Sequence, residues 1–109
     1  MTIALPAPIA GYFAADKAKD RDALVRHFAA DAIVLDEGNS YAGHAAILAW
    51  MAASSAKYDY VVEPFAVTHE AERSIVSAHL SGNFPGSPVD VRYRFTLNEG
   101  KIIGLKIGV

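Results

Sequence analysis

Cysteine is absent from this chain of 109 residues. Its absence excludes disulfides, thiolate metal ligands and a cysteine nucleophile. Histidine is scarce, and no pair has the His-x-His or His-x-x-x-His spacing of a metal site; the four are His27, His44, His69 and His79. The sequence therefore indicates no metal and no cofactor.

The sequence also lacks a large excess of charge of either sign, and it lacks long apolar runs. The 10 basic and 12 acidic residues are scattered, so the basic surface of a nucleic-acid binder is not expected. No apolar run approaches the ~20 residues that span a bilayer, and Met1 to Pro6 lack the basic start of a secretion signal. A cytoplasmic protein without nucleic-acid or membrane partners is expected.

The composition is that of one ordinary globular domain covering residues 1–109, with 52% hydrophobic residues and no linker or repeat. Helical spacing of Leu5, Ile9 and Tyr12 predicts a helix over about 6–18. Asp20 can cap a short second helix, whose apolar stripe ends with Phe28. A third helix is predicted from Gly43 to about residue 56.

Strands dominate the rest of the chain. A first strand is predicted over 32–36, ending at Asp36 before a polar turn, with Tyr41 able to resume it. Later strands are predicted over 58–67, with a bulge at Pro64, and over 74–83, 89–97 and 101–108. In 89–97, apolar residues alternate with polar ones, which is typical of an antiparallel sheet with one face on a core.

Helices followed by antiparallel strands predict an α+β fold in which three helices cover a strongly curved sheet and leave a cone. Aromatic side chains would converge on its interior, as in a small-molecule pocket, although each could instead fill the core. The predicted pocket residues are Phe13, Phe28, Val34, Trp50, Val91, Tyr93 and Phe95.

Four segments carry a resemblance to a known family. They are Ile9-Ala-Gly-Tyr12-Phe-Ala-Ala-Asp-Lys-Ala-Lys-Asp20, Phe28-Ala-Ala-Asp31-Ala-Ile-Val-Leu-Asp36, Gly43-His-Ala-Ala-Ile47 and Tyr93-Arg-Phe-Thr-Leu-Asn-Glu-Gly-Lys101-Ile. With the element order, they resemble the nuclear transport factor 2-like superfamily, in its SnoaL-like polyketide-cyclase and ketosteroid-isomerase branch. The resemblance implies a cystatin-like α+β cone that hosts many reactions.

By resemblance to ketosteroid isomerase, Asp36 matches the general base and Tyr12 the tyrosine that binds the oxyanion. These roles imply proton abstraction next to a carbonyl, with the enolate stabilised by the tyrosine hydroxyl. The third group of that site, a protonated acid, matches Val91, which cannot donate a hydrogen bond. Asp90 is adjacent, but strand alternation places it on the opposite face unless the strand contains a bulge.

Three alternatives stay open. Asp36 could instead satisfy the amides of the following turn, and the domain could bind a hydrophobic small molecule, or serve as a dimeric accessory domain, without catalysis. A protein-interaction module is a further alternative. The outer sheet face carries a mixed polar surface, on which Asp90 can pair with Arg92 or Arg94 across a two-fold axis, and the resemblance implies a homodimer through this face.

Overall fold

The structure is a computed structural model that describes residues 5–57 and 59–108, without the side chains of residues 55–57. Three helices are present, α1 (Ala7–Ala18), α2 (Arg21–Val25) and α3 (Gly43–Lys57). Pro6 and Pro8 lie at the start of α1, where the missing amide hydrogens cost nothing. Asp20 caps α2, because its side chain accepts a hydrogen bond from the Ala23 amide.

Six strands form one curved mixed sheet: β1 (Phe28–Asp36), β2 (Asn39–Ala42), β3 (Tyr60–Glu70), β4 (Arg73–Gly82), β5 (Val89–Asn98) and β6 (Lys101–Gly108). Their spatial order is β2-β1-β6-β5-β4-β3. All neighbours are antiparallel except β1 and β6, which are parallel. The predicted α+β class is confirmed. No helix in the described ranges is long and apolar enough to cross a bilayer.

The first strand is longer than the sequence predicts. Phe28 begins β1 rather than continuing the stripe of α2, because it pairs with Ile102 of β6 and its side chain is buried. Tyr41 belongs to a separate strand, β2, which returns antiparallel to β1. The turn between them has positive φ at Glu37 and Gly38 (51° and 78°), as a tight two-residue hairpin requires.

The later strands agree with the sequence pattern, except that Tyr58 of the predicted 58–67 strand lies outside the described residues. The register of β3 shifts between Pro64 and Ala66, which confirms the predicted bulge. In β5, Val91, Tyr93 and Phe95 are buried, whereas Asp90 and Arg92 are exposed. The helices therefore cover the face of the sheet to which the odd-numbered residues of β5 point.

Gly82 ends β4 at the open end of the hairpin formed by β3 and β4, where it pairs with Tyr60 at the start of β3. A Cβ added at Gly82 would collide with the backbone oxygen of Asp59 and lie 2.8 Å from the Cα of Tyr60. Only glycine allows the two strands to approach this closely. By contrast, a Cβ at Gly104 of β6 meets nothing nearer than 3.7 Å.

We expect Gly82→Ala to lower the free energy of unfolding by roughly 1–3 kcal/mol, because the backbone of β3 must move to make room. The matched variant Gly104→Ala should leave stability unchanged or raise it by about 0.5 kcal/mol, since alanine restricts the unfolded chain. Urea unfolding followed by circular dichroism measures both changes. Equal effects of the two substitutions would contradict the close approach at Gly82.

Candidate functional site

A cavity of about 520 Å³ lies between the helices and the inner sheet face, within the size range of small-molecule sites. Its described lining combines aromatic and acidic side chains. The aromatic residues are Tyr12, Tyr41, Trp50, Tyr60, Phe84 and Tyr93, and the acidic residues are Asp16, Asp36 and Glu37. Glu37 is exposed, so it lies at the mouth of the cavity.

Asp36 lines this cavity from the end of β1. Its Oδ2 accepts a hydrogen bond of 3.0 Å from the indole Nε1 of Trp50. Trp50 lies on α3 and also lines the cavity. In the described part of the chain, no turn amide donates to the Asp36 side chain. The geometry therefore differs from the alternative in which Asp36 serves only to satisfy the following turn.

Tyr12 lines the same cavity from α1, with only 3% of its surface exposed. Its ring packs against Phe28 and Phe95, with centroids 6.0 and 5.4 Å away. No hydrogen bond joins its hydroxyl to another described residue, and no fully buried side-chain oxygen or nitrogen in the described residues lacks a partner. The Tyr12 hydroxyl is therefore accessible from the cavity.

The electrostatics of the cavity keep this hydroxyl neutral. Burial raises the pKa of Tyr12 well above its usual value, and the neighbouring Tyr93 and Asp16 raise it further. Tyr93 lies on β5 with 5% of its surface exposed, and burial likewise raises its pKa, followed by the effect of Asp16. Both tyrosines remain hydrogen-bond donors throughout the neutral range.

Val91 also lines the cavity, at the position where the resemblance implies a third acidic group. Asp90 does not replace it. The pairing of β4 with β5 is regular at this point, with His79 opposite Asp90, and the His79 Nδ1 lies 2.9 Å from Asp90 Oδ1 on the exposed face. The hydrogen-bond donor that β5 adds to Tyr12 on the inner face is Tyr93, two residues after Val91.

The sequence prediction missed a second acidic group in the cavity. Asp16 follows Tyr12 by one turn of α1 and lines the cavity, and its Oδ1 accepts a hydrogen bond of 3.1 Å from the Tyr60 hydroxyl. Burial raises the pKa of the Asp16 carboxyl, although the Tyr60 hydrogen bond and the charge of Lys19 oppose this. The sequence signal for Asp16 was an acidic residue on the otherwise apolar face of α1.

Several predicted pocket residues belong to the core instead. Phe28, Val34 and Phe95 are almost completely buried and are not among the residues that line the cavity. Phe13 is half-buried and packs edge-to-face on Tyr93, with ring centroids 5.1 Å apart. Alternation along a strand identifies the inner face, but the helices decide which inner residues they cover and which face the cavity.

The histidines lie away from the cavity lining. His44 at the start of α3 has its Nε2 2.9 Å from the backbone oxygen of Phe28, where it ties the helix to β1. Among the described residues, no group of three or more His, Cys, Asp or Glu side chains could hold a metal ion. The chemistry available in this cavity is that of carboxylates and neutral hydroxyl or indole donors.

Comparison with known proteins agrees with this arrangement of helices and curved sheet. The SnoaL-like domain family matches residues 9–105. The chain belongs to this family, and its fold is shared with NTF2-like and ketosteroid isomerase-like proteins of known structure. The comparison with curated protein sequences gave no significant match.

Solved structures include similar proteins. A candidate polyketide cyclase from Sinorhizobium meliloti is 44% identical, with a TM-score of 0.93 and 95% of each chain covered. A ketosteroid isomerase-like protein from Catenulispora acidiphila, solved with trimethylamine, is 19% identical, with a TM-score of 0.86 over 97% of this chain and 87% of that one. The epoxide hydrolase/cyclase-like enzyme SalBIII is 20% identical, with a TM-score of 0.80 over 93% and 86%.

The raised pKa of Asp16 predicts an effect on stability. A carboxyl whose pKa is higher in the folded state than in the unfolded chain stabilises the fold at pH values below its ordinary pKa of 3.8. This contribution is lost as the pH rises through the folded-state pKa. Asp16→Asn keeps an acceptor for Tyr60 and removes the charge. We expect the variant to melt at a higher temperature than the unchanged protein at neutral pH, and the difference to shrink toward about pH 3.

Thermal unfolding across this pH range measures the effect. Asp31→Asn is the matched control, because Asp31 is an exposed carboxylate on β1 whose loss should change the melting temperature little at any pH. A destabilised Asp16→Asn at neutral pH would contradict the cost assigned to this buried charge.

Proposed function

We propose that this domain binds a hydrophobic carbonyl compound and transfers a proton next to the carbonyl group. Asp36 is the general base, and the Tyr12 hydroxyl stabilises the enolate oxygen. The observation that supports this most directly is that both side chains line one cavity. Apolar walls lower the local dielectric and strengthen the hydrogen bond to the developing charge.

In this mechanism, Trp50 is a positioning residue. Its indole N–H holds Oδ2 of Asp36 and leaves Oδ1 available to take the proton. Tyr12 stays protonated because its pKa is raised, so it donates to the enolate oxygen without losing its own proton. Tyr93 supplies a second donor in place of the acid that Val91 cannot provide.

The relatives support this class of reaction. The Sinorhizobium meliloti relative is described as a candidate polyketide cyclase, and SalBIII is an epoxide hydrolase/cyclase-like enzyme with a role in pyran ring formation. Ring closures of these kinds proceed by proton transfer at oxygen or carbon, which a carboxylate and a hydroxyl can perform. The competing proposal is a domain that keeps the cavity and binds ligand without catalysis.

Deuterium exchange separates the two proposals. Hydrophobic ketones that raise the melting temperature in a ligand screen are incubated with the protein in D₂O, and exchange at the carbon next to the carbonyl is followed by NMR. We expect Asp36→Asn to slow protein-dependent exchange by about 10²–10⁴-fold and Tyr12→Phe by about 10²–10³-fold. Both substitutions preserve shape, so ligand binding should persist.

Asp31→Asn is the control for the loss of one carboxylate. This variant should accelerate deuterium exchange in the ketone as much as the unchanged protein does. A ketone that binds all of these proteins and is exchanged no faster than in buffer supports the non-catalytic domain. Exchange that is unchanged in Asp36→Asn would remove Asp36 as the base.

We further propose that two copies associate through the outer sheet face. Large apolar side chains are exposed toward both sides of this face: Ile33 and Leu35 on β1, next to the edge strand β2, are 45% and 42% exposed, and Val61 and Phe65 on the edge strand β3 are 55% and 52% exposed. The centre is polar and includes the pair His79 and Asp90. An apolar and polar surface of this kind suits a two-fold interface.

Sedimentation velocity at micromolar concentration tests the dimer. We expect the unchanged protein to sediment as a dimer and Phe65→Asp as a monomer, because the substitution buries an uncompensated charge in the interface. Ala14→Asp introduces the same charge at an exposed position of α1 and should remain dimeric. A monomeric unchanged protein would contradict the proposal.

A further inference from the structure

The ionisable lining of the cavity carries charge of one sign. Asp16, Asp36 and Glu37 contribute carboxylates, and the described lining residues include no lysine, arginine or histidine. Each of the two inner carboxylates accepts a hydrogen bond from one neutral donor. Asp36 accepts from the Trp50 indole, and Asp16 accepts from the Tyr60 hydroxyl. A carboxylate removed from water without a cationic partner is costly, and the ligand is the natural source of that cation.

Lys19, whose charge opposes the raised pKa of Asp16, does not line the cavity. Lys19 lies at the end of α1 and forms an ion pair of 3.6 Å with Asp59, with 54% of its side chain exposed. Its charge is directed to the surface and screened by solvent. Among the described residues, Asp16 therefore shares the cavity lining with tyrosines, including its hydrogen-bond partner Tyr60, and not with a basic side chain.

The aromatic walls suit the same kind of ligand. Tyr41 and Trp50 are tilted by 37° with ring centroids 6.2 Å apart, and Tyr12 and Tyr93 are tilted by 59° with centroids also 6.2 Å apart. Aromatic faces attract organic cations, and several rings around a carboxylate form the usual binding site of alkylated ammonium groups. An anionic ligand would be repelled by the carboxylates in this environment.

Two buried hydroxyls give the ligand a second recognition group. Tyr12 and Tyr93 are more than nine-tenths buried and line the cavity, and no hydrogen bond joins either hydroxyl to a described residue. Both can donate to a neutral acceptor such as a carbonyl oxygen. The ligand should therefore combine a cationic group with an uncharged acceptor on an apolar body.

We propose that the cavity selects an amphipathic organic cation, an amine or quaternary ammonium compound bearing a carbonyl group, with the cation held by Asp16 and the surrounding tyrosine rings. Asp16 holds this group because it lies one turn from Tyr12 on α1 and is bonded to Tyr60. The carbonyl end of this assignment rests on the proposed function, whereas the cationic end depends only on Asp16 and the aromatic lining.

The test uses two ligands of nearly identical shape and the full chain. Phenacyltrimethylammonium carries a quaternary nitrogen, and 3,3-dimethyl-1-phenylbutan-1-one has a carbon in its place. Quenching of Trp50, the single tryptophan of the chain, and calorimetry report the binding of each. We expect the cation to bind about tenfold or more tightly than its neutral isostere, as for a partly buried charged contact.

Asp16→Asn should abolish this preference while leaving the affinity for the neutral isostere within about twofold. Asp31→Asn changes the net charge equally at an exposed position and should keep the preference. Equal affinities for the two ligands, or no binding of the cation, would overturn the proposal. A preference lost equally in Asp36→Asn would overturn the assignment of the cation to Asp16.

The outcome is separable from that of the proposed function. A preference for the cation that depends on Asp16, combined with ketone exchange that does not depend on Asp36, retains this inference and rejects the general base. Exchange that depends on Asp36 with no preference for the cation retains the base and rejects the inference.

Discussion

The parallel pairing of β1 with β6 is the constraint on which the cavity depends. It joins the strand that follows the first two helices to the last strand of the chain, and it places Asp36 beside Ile107. Both residues line the cavity. Parallel neighbours require a long connection, and here that connection contains α3 and β3 to β5, so Trp50 and Tyr93 are brought to the same site as Asp36.

Polar groups in this cavity are few, and each has a defined local environment. The two inner carboxylates accept hydrogen bonds from an indole and a phenol, and both donors come from other elements. Such pairs compensate a buried charge only in part. A domain of this size has little stability to spare, so the retention of the Asp16 carboxyl, whose pKa is raised by burial, supports the proposed role in ligand binding.

Much of the fold could be predicted from local pattern. The alternation in β5, the bulge at Pro64 and the cap at Asp20 each follow from the chemistry of neighbouring residues, and all are present in the structure. The start of β1 could not be predicted in this way, because Phe28 fits both a helical stripe and a buried strand. Its pairing with Ile102, far along the chain, decides between them.

The sequence by itself determined the α+β class, the family resemblance and the choice of Asp36 and Tyr12 as candidate site residues, because periodicity and motifs are properties of neighbouring residues. Only the tertiary structure decided that Asp16 and Tyr60 join them, that Asp90 faces away, and that Phe28, Val34 and Phe95 are core. These outcomes depend on strand register and on how the helices cover the sheet, and both are set by contacts between residues distant in the chain.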